Sequence, residues 1–471
     1  MLFTSFPFVV LVILTLFFFY CKHLRAYQTP ILITSSFIFY AYGQPYLLLL
    51  LFISASINAV TSYLVYFENS SKKKKRYAFI GVLFNLTVLA FFKYSPLFGT
   101  VLNDLGHVSS IGELLILIPL PVGISFYTFQ GISLVIDLYR SNHQSECPLF
   151  HVDKNFRKHY TDTFFFITFF PQLVAGPIVK AYQFYPQIKT KYFKDIDFHG
   201  TIKILILGYF LKMVIADNLK NQTFWMTYPY FESLSSFTLV TLLVGYSVQI
   251  FADFAGYSLI AIGIAKLYGY DLPINFNFPY ISQSFSEFWT RWHISLSTWL
   301  KEYLYIPLGG NRRGERRTYL NLIIVMLLGG LWHGAAWSYM VWGGYHGMLL
   351  MLERYGHRYI NLPSNFFITF VKTFFVFSLI TLGWLLFKLP DFSQVLNFLA
   401  AIISNIGLPH DKGILVMIFF YSLPILIYHL NYLVHMKQKK NFMNNAYVYA
   451  VLLFLIVTNS GSSGAFIYFQ F

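Results

Sequence analysis

The 471-residue chain has few charged side chains, since Asp, Glu, Lys and Arg together make up only 11% of it. A soluble protein carries about 25% charged residues. Hydrophobic residues account for 56% of the chain and aromatic residues for 21%. A soluble core of this length cannot hide so much apolar surface. The composition therefore excludes a soluble protein and predicts an all-α, polytopic membrane protein in contact with membrane lipid.

Cysteine is also scarce, because Cys21 and Cys147 are the two cysteines of the chain. Two cysteines without a metal-type spacing exclude a disulfide framework, and we expect no metal site. The apolar run from Leu2 to Tyr20 has no basic segment before it and no small-residue cleavage site after it. This pattern predicts a retained first helix rather than a cleaved signal peptide.

Positive charge is in excess, with a formal net charge of +15. The basic residues lie in short loops between apolar runs, as the positive-inside rule predicts, and not on a folded soluble face. We therefore expect no nucleic-acid partner. The alternation of basic and uncharged loops predicts an extracytoplasmic N-terminus. It also predicts that the clusters at 72–76 and 437–440 are cytoplasmic.

Apolar runs recur along nearly the whole chain and predict one membrane domain over residues 1–471. Several runs are shorter than the roughly 20 residues needed to cross a bilayer, and we expect those to be re-entrant or broken helices. The pattern predicts about eleven true spans. The predicted segments are 3–21, 28–44, 46–67, 77–98, 113–138, 161–178, 198–217, 234–252, 255–269, 318–337, 338–353, 366–388, 394–405, 414–434 and 446–459.

Residues 281–306 are helical in pattern but too polar to cross lipid freely. Projected at about 100° per residue, they form one amphipathic helix with an aromatic arc, and His293 lies at the edge of that arc. Such a helix either anchors at the membrane surface or dips into a protein cavity. The glycine-rich, basic loop 307–317 follows it. That loop either guides a phosphate-bearing carrier or only sets topology.

His333 lies inside the apolar run 322–347, among glycines, alanines and tryptophans. An ionisable group in a membrane segment is a functional candidate by default. A neutral imidazole suits proton transfer near neutral pH, whereas the alternative is a structural histidine that hydrogen-bonds between helices. For His346, thirteen residues later, the pattern favours the structural interpretation.

Other candidates carry weaker patterns. Asp253 either makes a polar contact with the histidine helices or caps a helix that begins at Ala255-Gly256. Gln130 and Gln172 are expected to hydrogen-bond between helices. Arg291 and Arg312 are candidates for contacts with carrier phosphates.

Two blocks of the sequence are distinctive, FWTRWHISLSTWLKEYLYIPLGGNRRG at 288–314 and GGLWHGAAWSYMVWGGYHG at 329–347. They resemble the membrane-bound O-acyltransferase family, in the branch that contains alginate O-acetylation proteins and peptidoglycan O-acetyltransferases. Segments at 121–130, 169–178, 249–280 and 466–471 extend the resemblance over nearly the whole chain. A more distant resemblance links the chain to the D-alanyl transfer protein of teichoic acid modification.

The resemblance implies His333 as the family's near-invariant histidine and His293 as its second histidine, contributed by different helices. It also implies a helical rim around a central tunnel, with no bound cofactor. The donor would be an acyl thioester, either acetyl-CoA or an acyl carrier, that enters from the cytoplasm. His333 would act as general base or form an acyl-histidine, His293 would orient the reacting groups, and Trp332 and Trp337 would exclude water.

The function that follows is O-acetylation of an extracytoplasmic polysaccharide, alginate-like or peptidoglycan, together with an extracytoplasmic acetyl-relay protein. The expected location is a bacterial inner membrane. D-alanyl or another acyl transfer to a cell-envelope polymer is the alternative. A transporter or flippase is the remote alternative, although its usual paired halves with broken helices are not visible. The sequence leaves the acceptor polymer and the nature of the donor open.

Overall fold

A computed structural model describes residues 1–104, 110–141, 152–174, 176–359, 363, 365–389, 391–438, 443, 445–462 and 464. The described residues fold into helices and connecting turns without a β-strand, which confirms the all-α class. Cys147 and the segment 466–471 lie outside the described residues.

The chain divides into two compact units that alternate along the sequence. The first unit comprises residues 1–205 and 260–273, and the second comprises 206–259 and 274–471. The sequence analysis expected one domain over 1–471, and that expectation stays a prediction.

The first unit contains nine whole helices in its described part, most of a tenth, and the end of the helix Ser236–Leu267. Their bounds are α1 Phe6–Tyr20, α2 Gln28–Ala41, α3 Leu47–Phe67, α4 Ser71–Asp104, α5 Ser110–Ile116, α6 Ile124–Ser141, α7 Phe156–Thr168, α8 Phe170–Leu173 and α9 Ala181–Phe184, followed by most of α10, Phe198–Tyr209. Polar pairs between apolar helices hold it together. The buried amides of Asn58 and Asn85 exchange two hydrogen bonds between α3 and α4, at 3.2 and 2.8 Å.

The second unit begins at Ile206, in the last turn of α10, continues through a π-helix at Phe210–Ala216 and contains the remaining described helices. Their bounds are α11 Asp217–Thr223, α12 Ser236–Leu267 (whose end belongs to the first unit), α13 Phe285–Arg291, α14 Ile294–Leu300, α15 Glu315–His333, α16 Trp337–Gly356, α17 Phe366–Lys388, α18 Phe392–Ser404, α19 Lys412–Gln438 and α20 Ala446–Thr458. A second π-helix, Lys301–Tyr305, follows α14.

Helices α15 and α16 form a close antiparallel pair because glycines line their contact. A Cβ atom on Gly330 would come within 2.1 Å of the Tyr339 carbonyl oxygen, and one on Gly343 within 2.2 Å of the Met326 carbonyl oxygen. Small residues allow helix backbones in a membrane protein to approach in this way. The approach brings the end of α15 against the first turns of α16.

Five described helices are long and apolar enough to cross a membrane, namely α3, α4, α12, α17 and α19. The bent pair Phe6–Tyr20 and Lys22–Ala41, which turns by 101°, would add one more span. The chain is therefore a multi-pass membrane protein. The predicted total of about eleven spans stays a prediction, because many of the other predicted segments form helices shorter than 18 residues or more polar than a free span.

Four of the predicted segments differ from the observed helices. Segment 113–138 contains two helices, α5 and α6, because a Pro-rich stretch around Pro119 and Pro121 interrupts it. Segments 234–252 and 255–269 form one continuous helix, α12. Segment 281–306 is not one amphipathic helix, because the backbone breaks between α13 and α14 at His293.

Candidate active site

His293 occupies the break between α13 and α14, in a left-handed backbone conformation with φ 43° and ψ 53°. Non-glycine residues adopt this conformation rarely and at a cost in backbone energy. Two backbone hydrogen bonds hold it, from Asn277 N–H to Arg291 O and from Ile294 N–H to Asn275 O, both 2.9 Å. The segment that precedes α13 therefore fixes the backbone on both sides of His293.

The Asn275 side chain adds a second constraint. Its Oδ1 accepts a 2.6 Å hydrogen bond from Ser295 Oγ, and its Nδ2 donates to Ser258 Oγ on α12 at 3.1 Å. On the same helix, Phe254 packs edge-on against the His293 imidazole, with ring centroids 4.6 Å apart. Helix α12 thus positions His293, whose side chain is fully buried.

His333 is the last residue of α15, and Gly334 continues the chain in extended conformation. A Cβ on Gly334 would lie 2.2 Å from the Tyr339 ring, so only glycine fits at the point where the chain leaves α15. The imidazole therefore lies at a helix break and not in the middle of a continuous span. It is buried, with 4% of the residue exposed.

The two imidazoles face each other across a short gap, with ring centroids 6.3 Å apart. Trp332 contacts both, at 5.1 Å from His333 and 5.9 Å from His293. Trp342 and Phe387 complete the surroundings of His333, at 5.2 and 5.5 Å. A buried, ring-enclosed pair of imidazoles can orient a substrate and move a proton while excluding water.

A cavity of about 750 Å³ reaches His333 within the second unit. That volume suits a small-molecule substrate. Buried apolar residues line its interior, among them Leu296, Val325, Met326 and Gly329, together with His333 and Trp342. His293 lies close to this part of the cavity, because its ring contacts the ring of His333.

Exposed polar residues line the opposite part of the cavity. Lys301, Arg354 and His357 are all exposed, and Glu353 lies beside them. The Glu353 carboxylate accepts the backbone N–H groups of Phe285 and Ser286 at the start of α13. Cationic side chains therefore surround the open end of a cavity whose inner end is His333.

The structure places the other predicted site residues as follows. Trp332 is buried between the histidines, whereas Trp337 is 57% exposed and does not enclose His333. Arg291 bonds to Glu287 at 2.9 Å and to the Asn277 carbonyl at 3.0 Å, away from the cavity lining. Arg312 is exposed on its loop and also lies outside the lining.

Asp253 does not cap a helix. It lies within the continuous helix α12 and pairs with Lys212 at 2.7 Å, and the same ammonium contacts Asp217 at 2.7 Å. All three side chains are at least 95% buried. The π-helix creates the Lys212–Asp217 contact, because its i to i+5 hydrogen bond joins these two residues.

The sequence analysis did not predict the buried ion pair of Lys212 with Asp217. It also did not predict that Trp342 lines the cavity. A lysine in the apolar segment 198–217 was an available signal for the first pair, since a membrane-buried charge requires a partner. No local pattern distinguishes Trp342 from Trp337, because both lie in the same aromatic run.

Comparison with known proteins identifies the family to which this chain belongs. Residues 108–390 match the profile of MBOAT, the membrane-bound O-acyltransferase family. The chain belongs to the membrane-bound O-acyltransferase family. It is an O-acyltransferase, and the matched region contains both histidines and every other predicted site residue.

Relatives place the chain in one branch of the membrane-bound O-acyltransferases. It is 36% identical to the peptidoglycan O-acetyltransferase of Helicobacter pylori, over 80% of this chain and 74% of the relative. It is 35% identical to the probable alginate O-acetylase AlgI of Pseudomonas aeruginosa, over 80% and 70%. The teichoic acid D-alanyltransferase of Bacillus subtilis is 29% identical over 57% and 68%. The resemblance inferred from the motifs is thereby confirmed.

Proposed function

We propose that this membrane-bound O-acyltransferase takes an acetyl group from a cytoplasmic thioester and delivers it for O-acetylation of an extracytoplasmic polysaccharide. The observation that carries the proposal is the cavity that joins an exposed cationic end to the buried imidazole of His333. Relatives that are named for O-acetylation of peptidoglycan and alginate support acetyl as the acyl group.

The cationic end of the cavity suits the phosphate of a donor such as acetyl-CoA or a phosphopantetheine-bearing acyl carrier. Lys301 and Arg354 can contact phosphate oxygens, although Arg354 also lies 3.4 Å from Glu315. Arg354 and Trp342 are twelve residues apart on α16, which corresponds to about 18 Å along the helix. An extended pantetheine arm could bridge that depth and place its thioester beside His333.

In the proposed reaction, His333 acts as general base. Its neutral nitrogen accepts the proton of an acceptor hydroxyl while the hydroxyl oxygen forms a bond to the thioester carbonyl carbon. The carbon–sulfur bond then breaks, the thiolate leaves, and the imidazolium returns its proton to that sulfur. An acyl-histidine formed by direct attack of His333 is the variant of this route.

His293 and Trp332 support the same step in this proposal. The His293 imidazole would orient the reacting groups or polarise the thioester carbonyl. The buried indole of Trp332 would keep water from hydrolysing the thioester. Both side chains contact His333 through their rings, at 6.3 and 5.1 Å between centroids.

The proposed partners are the thioester donor, an extracytoplasmic acetyl-relay protein and the polymer acceptor, and the proposed location is the bacterial inner membrane. No tightly bound cofactor is required, because the donor brings the activated acyl group. D-alanyl transfer is retained as an outcome of the experiment, since teichoic acid D-alanyltransferases are among the relatives.

The test is thiol release by the purified protein in detergent, with acetyl-CoA, acetyl-phosphopantetheine and D-alanyl-phosphopantetheine as donors. Mannuronate oligomers and peptidoglycan fragments are supplied as acceptors. We expect His333→Ala to lower turnover of the acetyl donors by about 100- to 10,000-fold, as loss of a general base does.

His23→Ala is the matched control, because His23 is exposed in the first unit and distant in sequence from the motifs. It should retain wild-type turnover. Wild-type turnover by a correctly folded His333→Ala protein would refute the role of His333. Absence of thiol release from every donor with the wild-type protein would refute the proposed thioester donor, and preference for the D-alanyl donor would favour aminoacyl transfer.

A further inference from the structure

We infer that Trp342 sets the size of the acyl group and restricts transfer to short chains such as acetyl. The inference deepens the proposed function and depends on it, because it concerns the donor bound in the same cavity. It starts from the position of one indole at the inner end of that cavity.

Trp342 lines the cavity together with His333. The two rings are nearly perpendicular, at 89°, with centroids 5.2 Å apart. A thioester that reaches the imidazole from this cavity therefore comes close to the indole as well. The carbons of the acyl group must fit into the space that Trp342 leaves.

The buried rings around Trp342 prevent it from moving aside. Its indole stacks on Trp384 at 5.8 Å and 27°, and it contacts Phe387 at 5.6 Å and His346 at 4.7 Å. None of these three residues lines the cavity, and each is at most 1% exposed. Close-packed interiors do not yield to an added methylene without strain. The inner end of the cavity is therefore a fixed wall.

His346 is one of the buried residues that pack against Trp342. Both of its ring nitrogens lack a hydrogen-bond partner among the described residues, and its imidazole packs against Trp342 and Trp289. Gly383 makes room for it, since a Cβ there would lie 3.0 Å from His346 Nε2. His346 thus packs against Trp342 in the buried cluster that also contains Trp384.

A cavity whose inner end cannot move selects acyl groups by their length. One methylene in a pocket of fixed size changes kcat/KM by about 10- to 200-fold. We therefore expect the wild-type protein to prefer acetyl over butyryl by at least about 10-fold and to reject hexanoyl. Replacing the indole with a smaller side chain should remove this preference without removing His333.

The experiment measures kcat/KM for acetyl, butyryl and hexanoyl groups, each on CoA and on phosphopantetheine, with the wild-type protein in detergent. Trp342→Leu and Trp342→Phe are the variants. Trp225→Ala is the control, because Trp225 is an exposed tryptophan whose ring contacts are with Phe224 and Tyr230. We expect the Leu variant to shift the butyryl-to-acetyl ratio by about 10-fold or more and the control to leave it unchanged.

Two results would overturn the inference while leaving the proposed function intact. One is a wild-type protein that uses hexanoyl as fast as acetyl, a measurement that needs no variant to fold. The other is a folded Trp342→Leu protein with the wild-type order of preference. A wild-type protein that releases no thiol from any donor refutes the proposed function itself.

Discussion

The imidazole of His333 combines three properties that rarely coincide at one residue in an apolar helix. It ends α15 at a glycine exit, it lines the cavity, and it lies within ring contact of a second imidazole. The sequence alone made this histidine a candidate, because an ionisable group in an apolar run needs a reason to be there. The left-handed backbone of His293 could not be predicted, since it depends on hydrogen bonds of its neighbours Arg291 and Ile294 with Asn277 and Asn275.

The left-handed backbone of His293 makes it possible to test the imidazole separately from the turn. Asparagine adopts the left-handed conformation more readily than most residues, so His293→Asn should keep the turn while removing the imidazole. We expect the kcat for acetyl transfer to fall by about 100-fold, as when a group that stabilises the reacting carbonyl is lost. The KM for the donor should change little, because a group that acts mainly on the transition state contributes little to binding of the donor.

Steady-state kinetics on the purified variant check this prediction, with thermal unfolding in detergent to compare folding. His293→Val serves as the contrasting variant, because a β-branched residue is strained at positive φ. It should lower both stability and kcat. Unchanged kcat in His293→Asn would show that the backbone turn, and not the imidazole, is what the site needs.

At the scale of elements, helix α12 links two features that lie apart in the sequence. Asp253 pairs with Lys212 on the π-helix, while Phe254 and Ser258 support the turn that holds His293. Gly256 permits this packing, since a Cβ there would lie 2.9 Å from Gly208 O and Lys212 N. The predicted break between 252 and 255 does not occur. The buried Asp253 carboxylate is paired with Lys212, so the helix continues past this residue.

Removing that cation should destabilise the protein strongly. Lys212→Met leaves two buried carboxylates without their shared partner, and breaking a buried ion pair in this way costs about 3–5 kcal/mol. Thermal unfolding in detergent should show a clear fall in Tm. Lys266→Met is the matched control, because its pair with Asp271 is exposed, and exposed pairs contribute about 0–1 kcal/mol. Equal Tm values for the two variants would contradict a structural role for Lys212.

At the scale of the whole molecule, composition and charge distribution constrain how the chain lies in the membrane. Helices α3, α4, α12, α17 and α19 are apolar and long enough to cross it. Basic residues cluster at 72–76, in the first turns of α4, and the positive-inside rule assigns this cluster to the cytoplasm. The cationic loop 307–317 and the exposed end of the cavity are expected on that same side if the donor is cytoplasmic.

This orientation is testable by labelling in a cysteine-free background. Lys73→Cys should react with a membrane-impermeant maleimide only after spheroplasts are permeabilised. Gln44→Cys, in the uncharged turn between α2 and α3, should react without permeabilisation. The reverse pattern would invert the predicted topology and would place the Lys72–Arg76 cluster outside.

The sequence by itself determined the all-α class, the membrane environment and the family, and it identified the two histidines as candidates. Each of these depends on residue type or on local pattern, because lipid contact demands apolar runs and a buried ionisable group is conspicuous within them. The tertiary structure alone decided the His293 turn, the pairing of Asp253 with Lys212, and the choice of Trp342 rather than Trp337 beside His333. These features arise from contacts between segments far apart in the chain, and the helical period of one segment carries no information about them.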